Sequence, residues 1–191
     1  MTRISLPETA HQIIVAHIRP GDIAIDATTG NGHDTLFLAR QVGPQGHVYG
    51  FDIQSQAITA TRQRLAEAQR QGQVTLFQAS HADMAAKIPV DLHGRIQAIM
   101  FNLGYLPGSD KSVITRSEST LAALACATRL LAPSGVMTVL AYPGHAGGDH
   151  ETAQVQTWLE TLNPNRFDHR IVYSNVDKAC APRLYHIDKR R

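Results

Sequence analysis

A doubly wound α/β fold, one seven-stranded mostly parallel sheet with helices on both faces, is what this 191-residue sequence predicts. Three observations predict it. Short β-branched runs alternate with longer amphipathic stretches, the pattern written by parallel strands and their crossover helices. The first strand runs into a glycine-rich turn that opens a helix, the usual ligand position at the carboxyl edge of such a sheet. The last two strand candidates have no helix between them, so they predict an antiparallel hairpin at one edge.

The elements follow in order. Residues 7–18 place Ile13, Ile14, Ala16 and Ile18 at helical spacing and stop at Pro20-Gly21. Residues 23–26 are a brief buried strand. Residues 34–42 carry Leu36, Phe37, Ala39 and Val42 on one helix face, and Gly43-Pro44 ends it. Residues 48–52 are a second strand, and 55–70 a helix with Ala57, Ile58, Ala60, Thr61, Leu65 and Ala68 inward. Strands are expected at 74–77 and 96–101, and a helix at 118–131 closed by Ala132-Pro-Ser-Gly135. A fifth strand at 136–142, a helix at 151–162, and strands at 170–173 and 184–187 complete the chain. No repeat, low-complexity stretch or linker interrupts it, so one domain over residues 1–191 is expected.

Composition narrows the class. Apolar residues make up 43 % and charged residues 18 %, which supports a packed core and argues against disorder. Apolar runs such as 96–103 and 136–142 fall far short of the ~20 residues a membrane-spanning helix needs. The first residues show no apolar secretion signal. Cys126 and Cys180 are the only cysteines and form no CxxC pair, so neither zinc nor a disulfide framework is implied, and Cys126 reads as a small buried hydrophobe. A reducing, cytoplasmic location is expected. The net charge of +2 conceals an asymmetry: residues 166–191 hold seven basic against three acidic residues. A basic segment on a slightly acidic body suggests an anionic partner, although a solvated terminal strand reads the same way.

Two signals lie at the predicted carboxyl edge. The first is Asp26-Ala-Thr-Thr-Gly30-Asn31-Gly32-His33-Asp34-Thr35; its glycines permit close backbone approach, and the helix N-terminus beyond offers free N–H groups to an anion. The second is Gly50-Phe51-Asp52, where a carboxylate can accept hydrogen bonds from both hydroxyls of a ribose. A dinucleotide site would want a third small residue where Thr35 stands, and an acid such as Asp26 sits awkwardly beside a pyrophosphate. It suits the ammonium of a methionyl group, so S-adenosyl-L-methionine is favoured over NAD. Gln54 offers a polar contact to ribose or adenine. Ser80 and His81 follow the third strand, where the adenine edge is expected; a ligand-free helix-start histidine is the alternative there.

The fourth strand ends in Asn102-Leu103-Gly104-Tyr105-Leu106-Pro107-Gly108-Ser109-Asp110-Lys111. Asn-Leu-Gly-Tyr resembles the Asn-Pro-Pro-Tyr signature of methyltransferases acting on amino groups. The Asn102 amide oxygen and the Leu103 carbonyl can accept both hydrogens of an –NH2 group, and Tyr105 can stack on a flat base. The amine must be neutral to attack, and Asp110, His33 and His145 are all candidate bases. Tyr142-Pro-Gly-His145-Ala-Gly-Gly reads as a substrate clamp. His145, His150 and Glu151 match no helical zinc spacing, so no metal is expected.

These motifs together with Gly-Phe-Asp-Ile-Gln and Ser-His resemble the rRNA methylase family, whose characterised members are the MnmM (YtqB-type) tRNA methyltransferases. The resemblance runs from about Pro7 to the terminal strands. It implies a Rossmann-like class I fold and methylation, from S-adenosylmethionine, of the aminomethyl group of 5-aminomethyl-2-thiouridine at the tRNA wobble position. It also implies an anticodon stem-loop partner and a homodimer. Carried over by motif, Asn31, Asp52, Gln54, Ser80, His81 and Asn102 would bind the cofactor, and Tyr105, Asp110, Lys111, Tyr142 and His145 the substrate. One departure stands out: residues 174–183 lack the family's Asn-Gln-x-Asn-x-Pro-Pro pattern, which puts the tRNA set or the nucleotide in question. A methyltransferase for rRNA or a small amine, and a non-catalytic binding module, are the competing readings.

Overall fold

A computed structural model describes residues 5–104, 117–144, 147–174 and 180–191. The order of elements is α1 (Leu6–His17), β1 (Ile23–Asp26), α2 (His33–Val42), β2 (His47–Asp52), α3 (Ser55–Glu67), β3 (Val74–Gln78), the single turn α4 (Met84–Lys87), β4 (Ile96–Asn102), α5 (Ser117–Leu130), β5 (Leu131–Ala141), α6 (Gly148–Glu160), β6 (Phe167–Tyr173) and β7 (Arg183–Lys189). Ser5 caps α1 and Pro7 stands in its first turn, where a missing N–H costs nothing.

The seven strands lie in the order β3-β2-β1-β4-β5-β7-β6. The first five are parallel, and β7 runs antiparallel to both β5 and β6. The sheet expected from the β/α alternation is therefore present, closed by the expected hairpin. Strand order reverses between β1 and β4, so the chain opens a crevice beyond their carboxyl ends.

Side-chain alternation divides the core between two faces. Ala24, Ala98, Met100, Val136, Leu140 and Leu184 meet α1, α2 and Leu65 of α3. Ile25, Ile99, Phe101, Met137, Val139, Tyr185 and Ile187 meet α5, α6 and Met84. Cys126 lies in the second cluster, as a small hydrophobe should. No helix among the described residues is long and apolar enough to cross a membrane.

Differences from expectation lie at element ends. The helix expected at 118–131 stops at Leu130, and β5 starts at Leu131, which pairs with Ile96 before the register shifts at Ala98. Leu131 is fully buried, and Lys189 donates to the carbonyls of both Thr128 and Leu131. Pairing and this lysine thus capture a Pro-Gly segment that reads locally as a loop. Ala16 is exposed, and Leu6 and Ala10 help bury α1 instead.

Candidate cofactor and substrate site

The site is built where β1, β2 and β4 end together. Asp26 pairs in register with Gly50 on one side and Met100 on the other. Its carboxyl is buried; it accepts from the Thr28 N–H at 3.1 Å and from the Thr35 hydroxyl at 2.6 Å. Burial, with Asp34 and Asp52 nearby, pushes its pKa up to about 7 against the two hydrogen bonds. Asp26 therefore holds the turn to the first residues of α2 with its own hydrogen bonds.

The turn is tied on every side. Gly32, at φ +78°, precedes α2, and a Cβ there would stand 2.9 Å from both Cα and Oγ1 of Thr61 on α3. The Thr61 hydroxyl donates to the Gly30 carbonyl, and Arg64 Nε donates to the Asn31 carbonyl at 2.6 Å. Asp34 meets His11 Nε2 at 2.7 Å, and the His11 ring stacks on Phe37. Gly50 leaves room for Thr29 and Leu76, whose methyl carbons would each lie 2.6 Å from a Cβ there.

Asp52 closes the other wall. Its Oδ2 accepts from the Gly30 N–H and its Oδ1 from the Gln54 N–H, both at 3.0 Å. Burial raises its pKa, and the backbone donors Gln54, Gly30 and Ile53 oppose that rise. The carboxylate retains a lone pair for a hydroxyl donor. Ser80 caps the short 3-10 turn His81–Asp83 by accepting from the Ala82 N–H, which seats His81 inward. Burial lowers His81 to about 4, so its ring is neutral, and its Nε2 is a buried atom without a hydrogen-bond partner among the described residues. The buried Thr29 hydroxyl likewise has no partner among the described residues. A glycine cradle, a carboxylate with an open lone pair and two polar atoms unsatisfied among the described residues fit an adenosine-type ligand.

Asn102 ends β4 with an exposed side chain, and its N–H donates to the Thr28 hydroxyl at 2.7 Å. This bond joins the amide-bearing strand to the nucleotide turn. The Leu103 side chain is in the core and its N–H donates to the Leu140 carbonyl, so its own carbonyl is what it has to offer a substrate. Tyr142 is half-buried beyond β5; burial, then Asp34, raises its hydroxyl pKa. Tyr105, Asp110, Lys111 and His145 lie outside the described residues. Sequence reasoning passed over His11, Thr28, Thr61 and Arg64. Thr28 stood inside the quoted motif, but its partner is 74 residues away, which spacing does not reveal.

This strand order, with an acid closing β1, a glycine turn and a second acid closing β2, defines the Rossmann-like fold of class I, S-adenosylmethionine-dependent methyltransferases. The chain is similar in structure to a "putative rRNA-methylase" from Clostridium thermocellum, with TM-score 0.93 and 37 % identity over 99 % of this chain and 100 % of that one. A family model described as "Putative rRNA methylase" matches residues 48–188, and the chain belongs to this family. A second solved relative, a "putative methyltransferase" from Streptococcus mutans in complex with SAH, gives TM-score 0.86 and 31 % identity over 99 % of each chain. By sequence the chain is 41 % identical over 159 residues, 79 % of its length, to a chloroplastic tRNA (mnm(5)s(2)U34)-methyltransferase of Arabidopsis thaliana. It spans 57 % of the length of that relative.

Proposed function

We propose that this chain is an S-adenosylmethionine-dependent methyltransferase whose substrate is the aminomethyl nitrogen of 5-aminomethyl-(2-thio)uridine at the wobble position of tRNA. The observation that carries the reading is the Thr28–Asn102 link, which sets an exposed amide at the end of β4 beside the Gly30–Asp52 turn. The nucleoside in the name of the Arabidopsis relative and the SAH of the Streptococcus relative support it.

When bound, the cofactor supplies an electrophilic methyl group on a sulfonium. The chain's residues do the rest. Asp52, braced by the Gly30 and Gln54 amides, accepts from ribose hydroxyls. Asn31, Ser80 and His81 complete the adenosine pocket, with His81 Nε2 an available buried polar atom. The Asn102 amide oxygen and the Leu103 carbonyl accept the two N–H groups of the substrate amine and turn its lone pair toward the methyl. Holding nucleophile and methyl in line contributes on the order of 7–11 kcal/mol at best to lowering such a barrier. Tyr105 and Tyr142 would hold the base, Lys111 and the basic strands the RNA phosphates, and Asp110, His33 or His145 would take the proton. The proposal includes one domain over the whole chain, a homodimer, an anticodon stem-loop partner and a cytoplasmic location.

Methyl incorporation into tRNA carrying the aminomethyl nucleoside, read by nucleoside mass spectrometry, tests the proposal. Asn102→Ala is expected to abolish incorporation while SAH still binds. Methylation of ribosomal RNA alone, which the family's description would favour, overturns the tRNA assignment.

A further inference from the structure

At the opposite edge of the sheet, far from the site above, three side chains converge. His17 ends α1, and His186 and Asp188 lie two residues apart on β7, so both face the side of the sheet that α1 covers. His17 Nε2 and His186 Nε2 meet the same Asp188 oxygen, at 3.1 and 2.8 Å. Ligand atoms of all three fall within 4.8 Å of one another. His186 is 2 % exposed.

The hydrogen-bond roles of the two rings differ. His17 Nδ1 lies 2.8 Å from the Ile13 carbonyl, an acceptor only, so Nδ1 carries the hydrogen. Nε2 is then the ring nitrogen that faces the Asp188 carboxylate oxygen, at the point where a shared cation would sit. Holding Nδ1–H on a carbonyl is also how metal-binding histidines are oriented. On His186 the arrangement is reversed: Arg170 Nε, a donor only, occupies Nδ1 at 2.8 Å, and Nε2–H donates to Asp188. Arg170 is exposed on the edge strand β6 and can swing away, letting Nδ1 take the hydrogen and freeing Nε2. Beside the cluster, Thr138 pairs in register with His186 on the same face. It is 1 % exposed and its hydroxyl has no hydrogen-bond partner among the described residues. A water filling a fourth metal position would engage such a group. The carbonyl of His17 is itself pinned to the sheet, since Gln97 Nε2 donates to it and to Ser134.

We propose that His17, His186 and Asp188 form a site for a divalent transition-metal ion of the zinc type, separate from the methyl-transfer site and independent of the function proposed above. Two imidazoles and one carboxylate favour zinc over magnesium or calcium, which prefer all-oxygen sites. The ion clamps the end of α1 to β7, joining residues 169 positions apart in the chain. Arg170 is the internal competitor: its guanidinium holds His186 in the wrong tautomer and opposes a cation. Sequence spacing hid this site because its third ligand lies at the other end of the chain, and only His186-x-Asp188 was visible.

The test uses the full chain stripped of metal and titrated with zinc chloride by calorimetry, with cobalt absorption reporting the ligand field. One zinc per chain is expected, with magnesium silent. His17→Gln and Asp188→Asn each weaken zinc binding at least tenfold, with circular dichroism of the metal-free variants showing that they fold. Arg170→Ala tightens it several-fold, a gain that misfolding cannot imitate. No zinc binding by the wild-type chain, binding untouched by the His17 and Asp188 changes, or weaker binding after Arg170→Ala overturns the proposal.

Discussion

Replacing Asp26 by Asn isolates the electrostatic cost stored beneath the nucleotide turn. In the folded chain this carboxyl keeps its proton to about pH 7, and in the unfolded chain only to about 3.8. Between those values the folded state binds the extra proton, so stability from this group is fully present at low pH and lost as pH rises. At about 1.4 kcal/mol for each pH unit, the loss across the whole window is about 4 kcal/mol, most of it caused by burying the charge. Asn keeps the shape: its amide oxygen can accept from one of the Thr28 and Thr35 donors, and the Thr35 hydroxyl can reverse to accept from the amide nitrogen. Geometry therefore changes little and the pH dependence disappears. Urea unfolding of both chains between about pH 5 and pH 9 reads the difference. The wild type should lose about 2–3 kcal/mol relative to Asp26→Asn between pH 5 and pH 7, then run parallel to it above that. A difference between the two that is independent of pH, or a wild type that gains stability across that range, refutes the account of Asp26.

Three further outcomes follow from the same geometry. Gly32→Ala forces a side chain into a left-handed conformation, about 1–2 kcal/mol, and drives a Cβ against the Thr61 backbone, another 1–3 kcal/mol; denaturant midpoints should fall accordingly and SAH affinity with them. Thr28→Val removes the acceptor of the Asn102 N–H at an exposed bond that water can replace, so stability should drop by about 0.5–1.5 kcal/mol, and turnover should fall more than SAH affinity in a single-turnover assay. Arg64→Ala frees the Asn31 carbonyl and should weaken SAH binding in calorimetry, while stability falls by about 0.5–1.5 kcal/mol, the net contribution of one half-buried hydrogen bond.

Much of this molecule was legible because its signals are local. Each strand is a short apolar run, each helix repeats its buried face every turn, and a glycine pair after a strand marks the one place where backbone must come close to a ligand. Those regularities led to a parallel sheet, a terminal hairpin and an acid-glycine turn facing Asp52, all of which the fold contains. Element ends were less legible where a distant partner decides them. The start of β5 depends on Ile96 and on Lys189, neither of which lies near Leu131 in the chain.

The sequence by itself determined which residues are chemically able to act and on which strand ends they stand, because periodicity and turn chemistry are properties of neighbouring residues. Only the tertiary structure decided who meets whom: Asp52 braced by Gly30, Asn102 held by Thr28, His17 brought to Asp188. Such pairs are made by burial and by the closing of long loops, and a hydrogen bond 74 residues long leaves no periodic trace in the chain that forms it.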